Sequence, residues 1–330
     1  MSRQPMPMHP RVLSSCAFAF FALLALAGCD GLLSRSSITP RDGGSSDAAA
    51  SPDAGLRPDV DAAIPIGLDS GIPTGPCVRA TELWREDFES GDHRRWTSSS
   101  YGESWGDACQ STAITRDGAH GGSGAQRSEI VCASRSPDGV HRGYGGLQWN
   151  GERVLPEYTN SGAGLDAPHG IVTTFWTRLD AGYPLGDGRW LSLFTISPAC
   201  DYSERVITLG LDQPDGILRA AHYWPEGRMD IEPSATAMPL GRWTRISVYL
   251  NLHRGEMHVW QDGQSIEHVS GIVRGTRTMC QWHWGLYASA DNTDLVLVED
   301  DKIVWRLDEA WTDWSREPWM GAGVPACPGG

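Results

Sequence analysis

The sequence predicts an all-β protein, a sandwich of two antiparallel sheets, and three observations carry that expectation. Short runs of β-branched and aromatic residues recur between Gly, Pro, Asn and Asp turns over the greater part of the chain. The 39 glycines and 15 tryptophans among 330 residues suit many short strands and tight turns rather than a helix bundle. Beyond the N-terminal apolar run, no long segment repeats with helical periodicity.

Residues 1–29 read as a leader. Arg3 and Arg11 precede an apolar run from Val12 to Ala27, too short and too near the terminus to suit a membrane span. Leu26-Ala27-Gly28-Cys29 resembles a bacterial lipobox, which implies cleavage before Cys29 and a lipid on its sulfur. Residues 30–76 are Ser, Asp, Ala, Gly and Pro in low-complexity order without an aromatic residue, so they cannot offset their ordering entropy and are expected to be a disordered tether. Residues 77–330 carry the folded domain.

Within that domain, Ile171 to Leu179, Trp190 to Ile196, Arg205 to Leu211 and Ile217 to Trp224 each read as a strand. Trp243 to Leu250 alternates cleanly, with Ile246, Val248 and Leu250 on one face. Asp262-Gly263 marks a hairpin after Glu256 to Trp260. Strands follow at Trp282 to Ser289, Leu295 to Glu299 and Ile303 to Trp311. Lys302 is the sole lysine; its context, Asp300-Asp301-Lys302, reads as a turn.

The charge balance, 27 basic against 41 acidic side chains, argues against a nucleic-acid partner and against strong binding of polyanions unless a local basic cleft exists. Of eight cysteines, Cys16 leaves with the leader and Cys29 takes lipid. The remaining six suit three disulfides in an oxidising compartment. Cys77 and Cys327 flank the domain, Cys109 and Cys132 are close in sequence, and Cys200 is left with Cys280. No pair has metal-binding or redox C-x-x-C spacing.

Phe88-Glu89-Ser90-Gly91-Asp92 with Trp96, the hairpin from Gly255 to Gly263, and Gly285-Leu286-Tyr287 resemble a concanavalin A-like jelly roll of the kind found in polysaccharide lyases of the heparinase and alginate lyase types. Gln126-Arg127-Ser128-Glu129-Ile130 is similar to the Arg-Ser/Thr-Glu strand of those lyases. Strand alternation puts Arg127 and Glu129 on one face and His283 and Tyr287 on another. The resemblance implies that these faces belong to one concave sheet. It then assigns Arg127 to neutralising a uronate carboxylate, Glu129 to orienting it, and Tyr287 or His283 to moving the C5 proton in a β-elimination. The Gln-x-His of such lyases has no counterpart in Leu193 to Pro198, and His222 is the candidate substitute.

The alternative is a non-catalytic glycan-binding lipoprotein, with Trp190, His222, Trp224 and Trp260 as sugar-contacting residues among tryptophans that mostly fill the core. A structural lipoprotein without a glycan role is a third class. No cofactor is expected. The acidic groups Glu86, Asp87, Glu89, Asp300 and Asp301, and the loop Asp291, Asn292 and Asp294, would suit a structural calcium or be ordinary solvated turns. The expected partners are a polysaccharide and, through the lipid alone, a membrane. The expected location is the cell envelope, facing the periplasm or the exterior.

Overall fold

A computed structural model describes residues 78–98, 108–134, 136, 139–159, 161–181, 189–201, 204–211, 215–224, 227–231, 236–272, 276–313 and 317, without the side chains of 181, 205–207, 224 and 227–230. These residues fall within the unit Asp69–Gly330. Cys29, the tether and the Cys77–Cys327 pairing lie outside the described residues.

Seventeen strands are described: β1 (Ala80–Glu86), β2 (Gln110–Thr115), β3 (Ala125–Ile130), β4 (Val140–Asn150), β5 (Arg153–Val154), β6 (Leu165–Asp166), β7 (Ile171–Ala181), β8 (Leu191–Ser197), β9 (Arg205–Leu211), β10 (Arg219–Trp224), β11 (Gly227–Ile231), β12 (Thr244–Asn251), β13 (Glu256–Gln261), β14 (Gln264–Ser270), β15 (Thr278–Met279), β16 (Gln281–Ser289) and β17 (Leu295–Leu307). Fifteen of them form an antiparallel jelly-roll sandwich, and β6 pairs with β15 apart from its two sheets. One sheet has eight strands in the order β14-β13-β12-β7-β17-β3-β2, with β1 also paired to β17. The other has seven in the order β11-β10-β9-β8-β16-β4-β5.

Alternation builds the core. Ile171, Phe175 and Leu179 of β7 and Ile246, Val248 and Leu250 of β12 point inward from the eight-stranded sheet. They meet Leu147 and Trp149 of β4, Phe194 and Ile196 of β8, and Trp282, Trp284 and Leu286 of β16. A buried tryptophan removes about 150–250 Å² from water, so these inner rings dominate the packing energy. The Asp262-Gly263 turn between β13 and β14 has both residues at positive φ, 50° and 80°, as an Asp-Gly hairpin requires. Disulfides Cys109–Cys132 and Cys200–Cys280 are both formed, as expected.

Lys302 departs from expectation. It is no turn residue: it sits inside β17, beside the irregularity between Asp300 and Ile303, with no exposed surface. Its Nζ donates to Gln126 Oε1 at 2.6 Å and to Glu299 Oε2 at 2.9 Å, and it lies over the rings of Phe88, Trp96 and Trp284 at 4.9–5.4 Å. Burial pushes the lysine pKa down and that of Glu299 up, and their pairing opposes both shifts. A buried charge persists only when paired in this way.

A second apolar cluster lies outside the sandwich core. Val172, Tyr249, Trp260, Ile303, Trp305 and Leu307 of the eight-stranded sheet pack with Trp311, just beyond β17. Farther along, Glu317 accepts hydrogen bonds from Arg245 and Ser247 of β12. The outer face of this sheet is therefore partly covered by the chain's own C-terminal segment.

Candidate functional site

The outer face of the seven-stranded sheet collects the polar and aromatic side chains that strand alternation turns away from the core. On β16 the inward residues are Trp282, Trp284, Leu286 and Ala288, so Gln281, His283 and Tyr287 point outward. On β4 the core side chains Leu147 and Trp149 leave Arg142, Tyr144 and Gln148 on the same outer face. The strand register then sets neighbours. Tyr287 lies opposite Arg142 on one side and Ser192 on the other; Ser192 lies opposite Gly210, and Gly210 opposite Arg219. A single row thus crosses five strands: Arg142, Tyr287, Ser192, Gly210, Arg219. A second row runs Gly146, His283, Thr195, Thr208, Ala221.

The aromatic groups on this face form a continuous chain. Tyr158 meets His283 edge-on at 6.1 Å, and His283 stacks on Tyr144 at 4.6 Å. Tyr144 meets Tyr287 edge-on at 6.0 Å, and Tyr287 meets Trp190 at 5.1 Å. The Arg142 guanidinium lies 5.9 Å from the centre of the Tyr287 ring. Trp190 is held in place by Asn292, whose Nδ2 donates to the Trp190 carbonyl at 2.8 Å and to Ser289 Oγ at 2.9 Å. The acidic loop around Asn292 therefore positions an aromatic wall.

Tyr158 belongs to the segment after β5, which crosses this face. Gln148 fastens the segment: its Nε2 donates to the Thr159 carbonyl at 2.8 Å, and its Oε1 accepts from the Thr159 amide at 2.7 Å. Gly146 beneath has no side chain, and a Cβ there would collide with Tyr158 Oη and approach the Trp282 carbonyl to 2.6 Å. The crossing segment and the Tyr144 ring roof His283, which is 5% exposed. Gln281 Oε1 lies 3.1 Å from His283 Nε2. Tyr287 and Arg142 are half-buried and reach the surface.

The predicted site residues separate. His283 and Tyr287 share this face. Arg127 and Glu129 do not: they lie on β3 of the eight-stranded sheet, with Arg127 opposite Val298 of β17, and they point to that sheet's outer side. There they pair with each other across one strand. Their inward neighbours Gln126, Ser128 and Ile130 are buried, so the alternation was read correctly, but the expectation of one shared concave sheet fails because β3 and β16 belong to different sheets. His222 is fully buried, its Nε2 3.5 Å from Glu204 Oε1, and Trp260 is fully buried against His258 at 4.1 Å in the outer cluster of the eight-stranded sheet. Neither can meet a glycan in this conformation. Trp224 ends β10, and its side chain lies outside the described residues. Of the four proposed sugar-contacting residues, Trp190 alone has a described side chain on the candidate face.

Sequence reasoning missed Arg142, Tyr144 and Tyr158. The signal for the first two was present in the alternation Arg142-x-Tyr144 ahead of Leu147 and Trp149, but three glycines within β4 mask it as a strand.

Four of the carboxylates considered for calcium, those of Glu86, Glu89, Asp300 and Asp301, are engaged by protein groups. Glu86 accepts from the Phe88 amide at 3.0 Å and Trp96 Nε1 at 3.1 Å. Glu89 accepts from the amides of Ser123 and Gly124 at 2.6 and 2.9 Å. Asp300 accepts from the amides of His120 and Gly121 at 2.9 and 3.2 Å, and Asp301 lies 2.9 Å from His120 Nδ1. Among the described residues, no group of three or more His, Cys, Asp or Glu side chains is placed to hold a metal ion.

No family model and no curated protein matches the chain. Solved structures do. An endo-β-1,4-glucuronan lyase from the fungus Trichoderma reesei superposes with a TM-score of 0.51 at 12% identity, covering 73% of this chain and 100% of that one. A cellulose-induced protein, Cip1, gives a TM-score of 0.46 at 14% identity over 67% of this chain and 96% of that one. The alginate lyase AlgAT5 of polysaccharide lyase family 7 gives 0.36 at 14% identity over 58% and 80%. At such identities the likeness to the glucuronan lyase establishes the fold.

Proposed function

We propose that this chain is a cell-envelope lipoprotein that cleaves a uronate-containing polysaccharide by β-elimination on the outer face of the seven-stranded sheet. The observation that carries the reading is the direct opposition of Arg142 and Tyr287 on adjacent strands, beside the aromatic wall of Trp190. The jelly-roll fold shared with a glucuronan lyase is compatible with it.

In this reading Arg142 holds the uronate carboxylate. Removal of the C5 proton places negative charge on that carboxylate, and a fixed guanidinium stabilises the charge as it develops. Tyr287 takes the C5 proton and returns it to the glycosidic oxygen on C4. The C4–O bond breaks, a C4=C5 double bond forms, and the atoms balance without water or cofactor. Tyr144 and the roofed His283 hold Tyr287 in place. Trp190 stacks on an adjoining sugar. The lipid on Cys29 would keep the domain at the membrane while the tether gives it reach.

One observation favours the alternative, a glycan-binding module without chemistry. The neighbours of Tyr287 and His283 on β8 are Ser192 and Thr195, so that strand offers no histidine to assist proton transfer. Ultraviolet absorbance of the unsaturated product separates the two. Elimination should be seen with the native chain and fall by about 10²–10⁴-fold in Tyr287→Phe. Glycan retention without absorbance selects the binding module.

A further inference from the structure

Gln281 links the backbone beyond β8 to the histidine ring of the candidate face, and its role there rests on reading that face as the glycan site. The residue opens β16 two positions before His283, so both side chains point outward, and both are buried. Gln281 Nε2 donates to the Cys200 carbonyl, and Gln281 Oε1 lies 3.1 Å from His283 Nε2. A carbonyl oxygen only accepts, so the end of the amide that faces Cys200 is the NH2 group. The amide oxygen then faces the ring, and it too only accepts. The hydrogen between them therefore belongs to the imidazole, and His283 carries a proton on Nε2. A backbone carbonyl thus sets the protonation of a ring it does not touch.

That carbonyl is itself held in place. Cys200 is bonded to Cys280, the residue before Gln281. The Cys280 amide donates to the Ser197 carbonyl at 2.9 Å, and Ser197 stands opposite Gln281 where β8 pairs with β16. Ser197 Oγ bridges the carbonyls of Ala199, at 2.9 Å, and Glu204, which ties the chain on both sides of Cys200. The orientation of the ring in turn matters to its neighbours. The Cδ2 edge of His283 rests over Gly146, 2.7 Å from where a Cβ would stand. Turning the ring over would bring Cε1 toward Gln281 in place of Nε2 and lose the hydrogen bond. The same ring stacks on Tyr144 at 4.6 Å, with 20° between the planes, and Tyr144 meets Tyr287 edge-on at 6.0 Å.

We propose that Gln281 is a positioning residue of this site: it takes its orientation from the Cys200 carbonyl, fixes His283 in one orientation with the proton on Nε2, and through the stacked Tyr144 ring sets Tyr287 against the sugar. Gln281 acts through the ring and does not touch the glycan. Its removal leaves His283 two orientations instead of one, and the phenol two walls to pack against.

The test uses the full chain and begins with a readout independent of turnover. Two-bond proton–nitrogen spectra of the imidazoles, with the His283 signal identified by its loss in His283→Asn, are expected to show a proton on Nε2 at neutral pH. Gln281→Leu keeps the bulk and removes the acceptor, and its His283 signal is expected to move to a mixture of tautomers. With glucuronan, alginate and hyaluronan as probes in the ultraviolet assay, the same variant is expected to lower kcat by about 10–100-fold while KM changes less than about twofold. Gln281→Glu still offers an oxygen to the ring, so it is expected to keep the Nε2 proton and to lose less than the leucine variant. A native His283 without a proton on Nε2, a leucine variant with the native spectrum or the native kcat, or a glutamate variant as defective as the leucine one overturns the proposal while elimination by the native chain stands. A native chain that retains a probe without ultraviolet signal removes the elimination reading instead. The proposal then holds if Gln281→Leu both shifts the tautomer and weakens retention at least tenfold, and falls if retention is unchanged. Retention of none of the probes overturns the proposal together with the choice of this face.

Discussion

The two outer faces of the sandwich are built by the same alternation and end in opposite states. On the eight-stranded sheet, outward arginines are closed off by acids two residues along the same strand: Arg127 by Glu129, and Arg178 by Asp180. Its outward aromatics are likewise spoken for, with Trp260, Trp305 and Trp311 buried in one cluster. On the seven-stranded sheet, Arg142 stands opposite Tyr287, and the ring chain starts beneath the segment after β5, which roofs His283, and emerges at the half-buried Tyr287 and Trp190. An arginine followed by a glutamate on a strand is thus a weak sign of chemistry. Such a pair is its own best partner, and an arginine set against a phenol on the neighbouring strand is the more informative arrangement.

Variants on each face can break this contrast. The largest effect is expected for Trp260→Ala, which empties a fully buried indole site and should cost about 3–5 kcal/mol in denaturant unfolding while leaving glycan turnover per folded molecule intact. A loss of turnover beyond the loss of folded protein would mean that the covered face serves the site. Next comes Arg142→Ala, expected to lower kcat/KM by roughly 10²–10³-fold, with the Tm essentially unchanged. A variant with normal kinetics would remove this arginine from the mechanism.

A pH effect follows on the eight-stranded side. Burial and the adjacent Asp301 push the Asp300 pKa up to about 6 from an unfolded value near 4. The folded chain therefore binds this proton more tightly than the unfolded chain does. The contribution is fully present below about pH 4 and is lost as the pH rises to about 6, by on the order of 1–3 kcal/mol. Asp300→Asn should flatten the stability profile between those values, and an unaltered slope in urea titrations across that window would contradict the assignment. The smallest effect is expected for Arg127→Ala: below about 1 kcal/mol in stability, as for exposed ion pairs, and less than twofold in turnover. A large kinetic defect there would restore β3 to the site.

How much of this was legible in the sequence depends on which scale carried the information. Strand alternation is local, so the buried faces of β7, β12 and β16 and the turn at Asp262-Gly263 could be read directly. The pair Cys109–Cys132 followed from closeness in sequence, and Cys200–Cys280 from elimination once the flanking cysteines were set aside. Which sheet a strand joins is decided by pairing partners far away in sequence, as when β16 takes β4 and β8 while β3 takes β2 and β17. Alternation put Arg127 and Tyr287 each on an outward face, and nothing local could say that the faces were back to back. His222 and Trp260 failed for different reasons: His222 alternates with the outward Ala221 and so faces inward, beside Glu204, whereas Trp260 points outward but is covered in the cluster that Trp311 joins. Lys302 was misread because three consecutive charged residues suggest a turn, while its countercharge, Glu299, stands three residues earlier on the same strand and its caging rings come from β16 of the other sheet and from the segment after β1.

The seclusion of Lys302 has a practical corollary. Every other basic side chain in the sequence is an arginine or a histidine, so the folded domain presents no lysine amine to acylating labels, aldehyde crosslinkers or amine-coupled supports. Side-chain attachment to the folded domain then goes through groups other than amines, such as carboxylates, phenols, imidazoles or guanidinium groups. The same seclusion turns the residue into an internal clock. A reagent reaches that one nitrogen when the sheets part, so the pace at which the domain acquires an acyl group on Lys302 reads out how often the whole sandwich opens, at a single site and without any engineered probe.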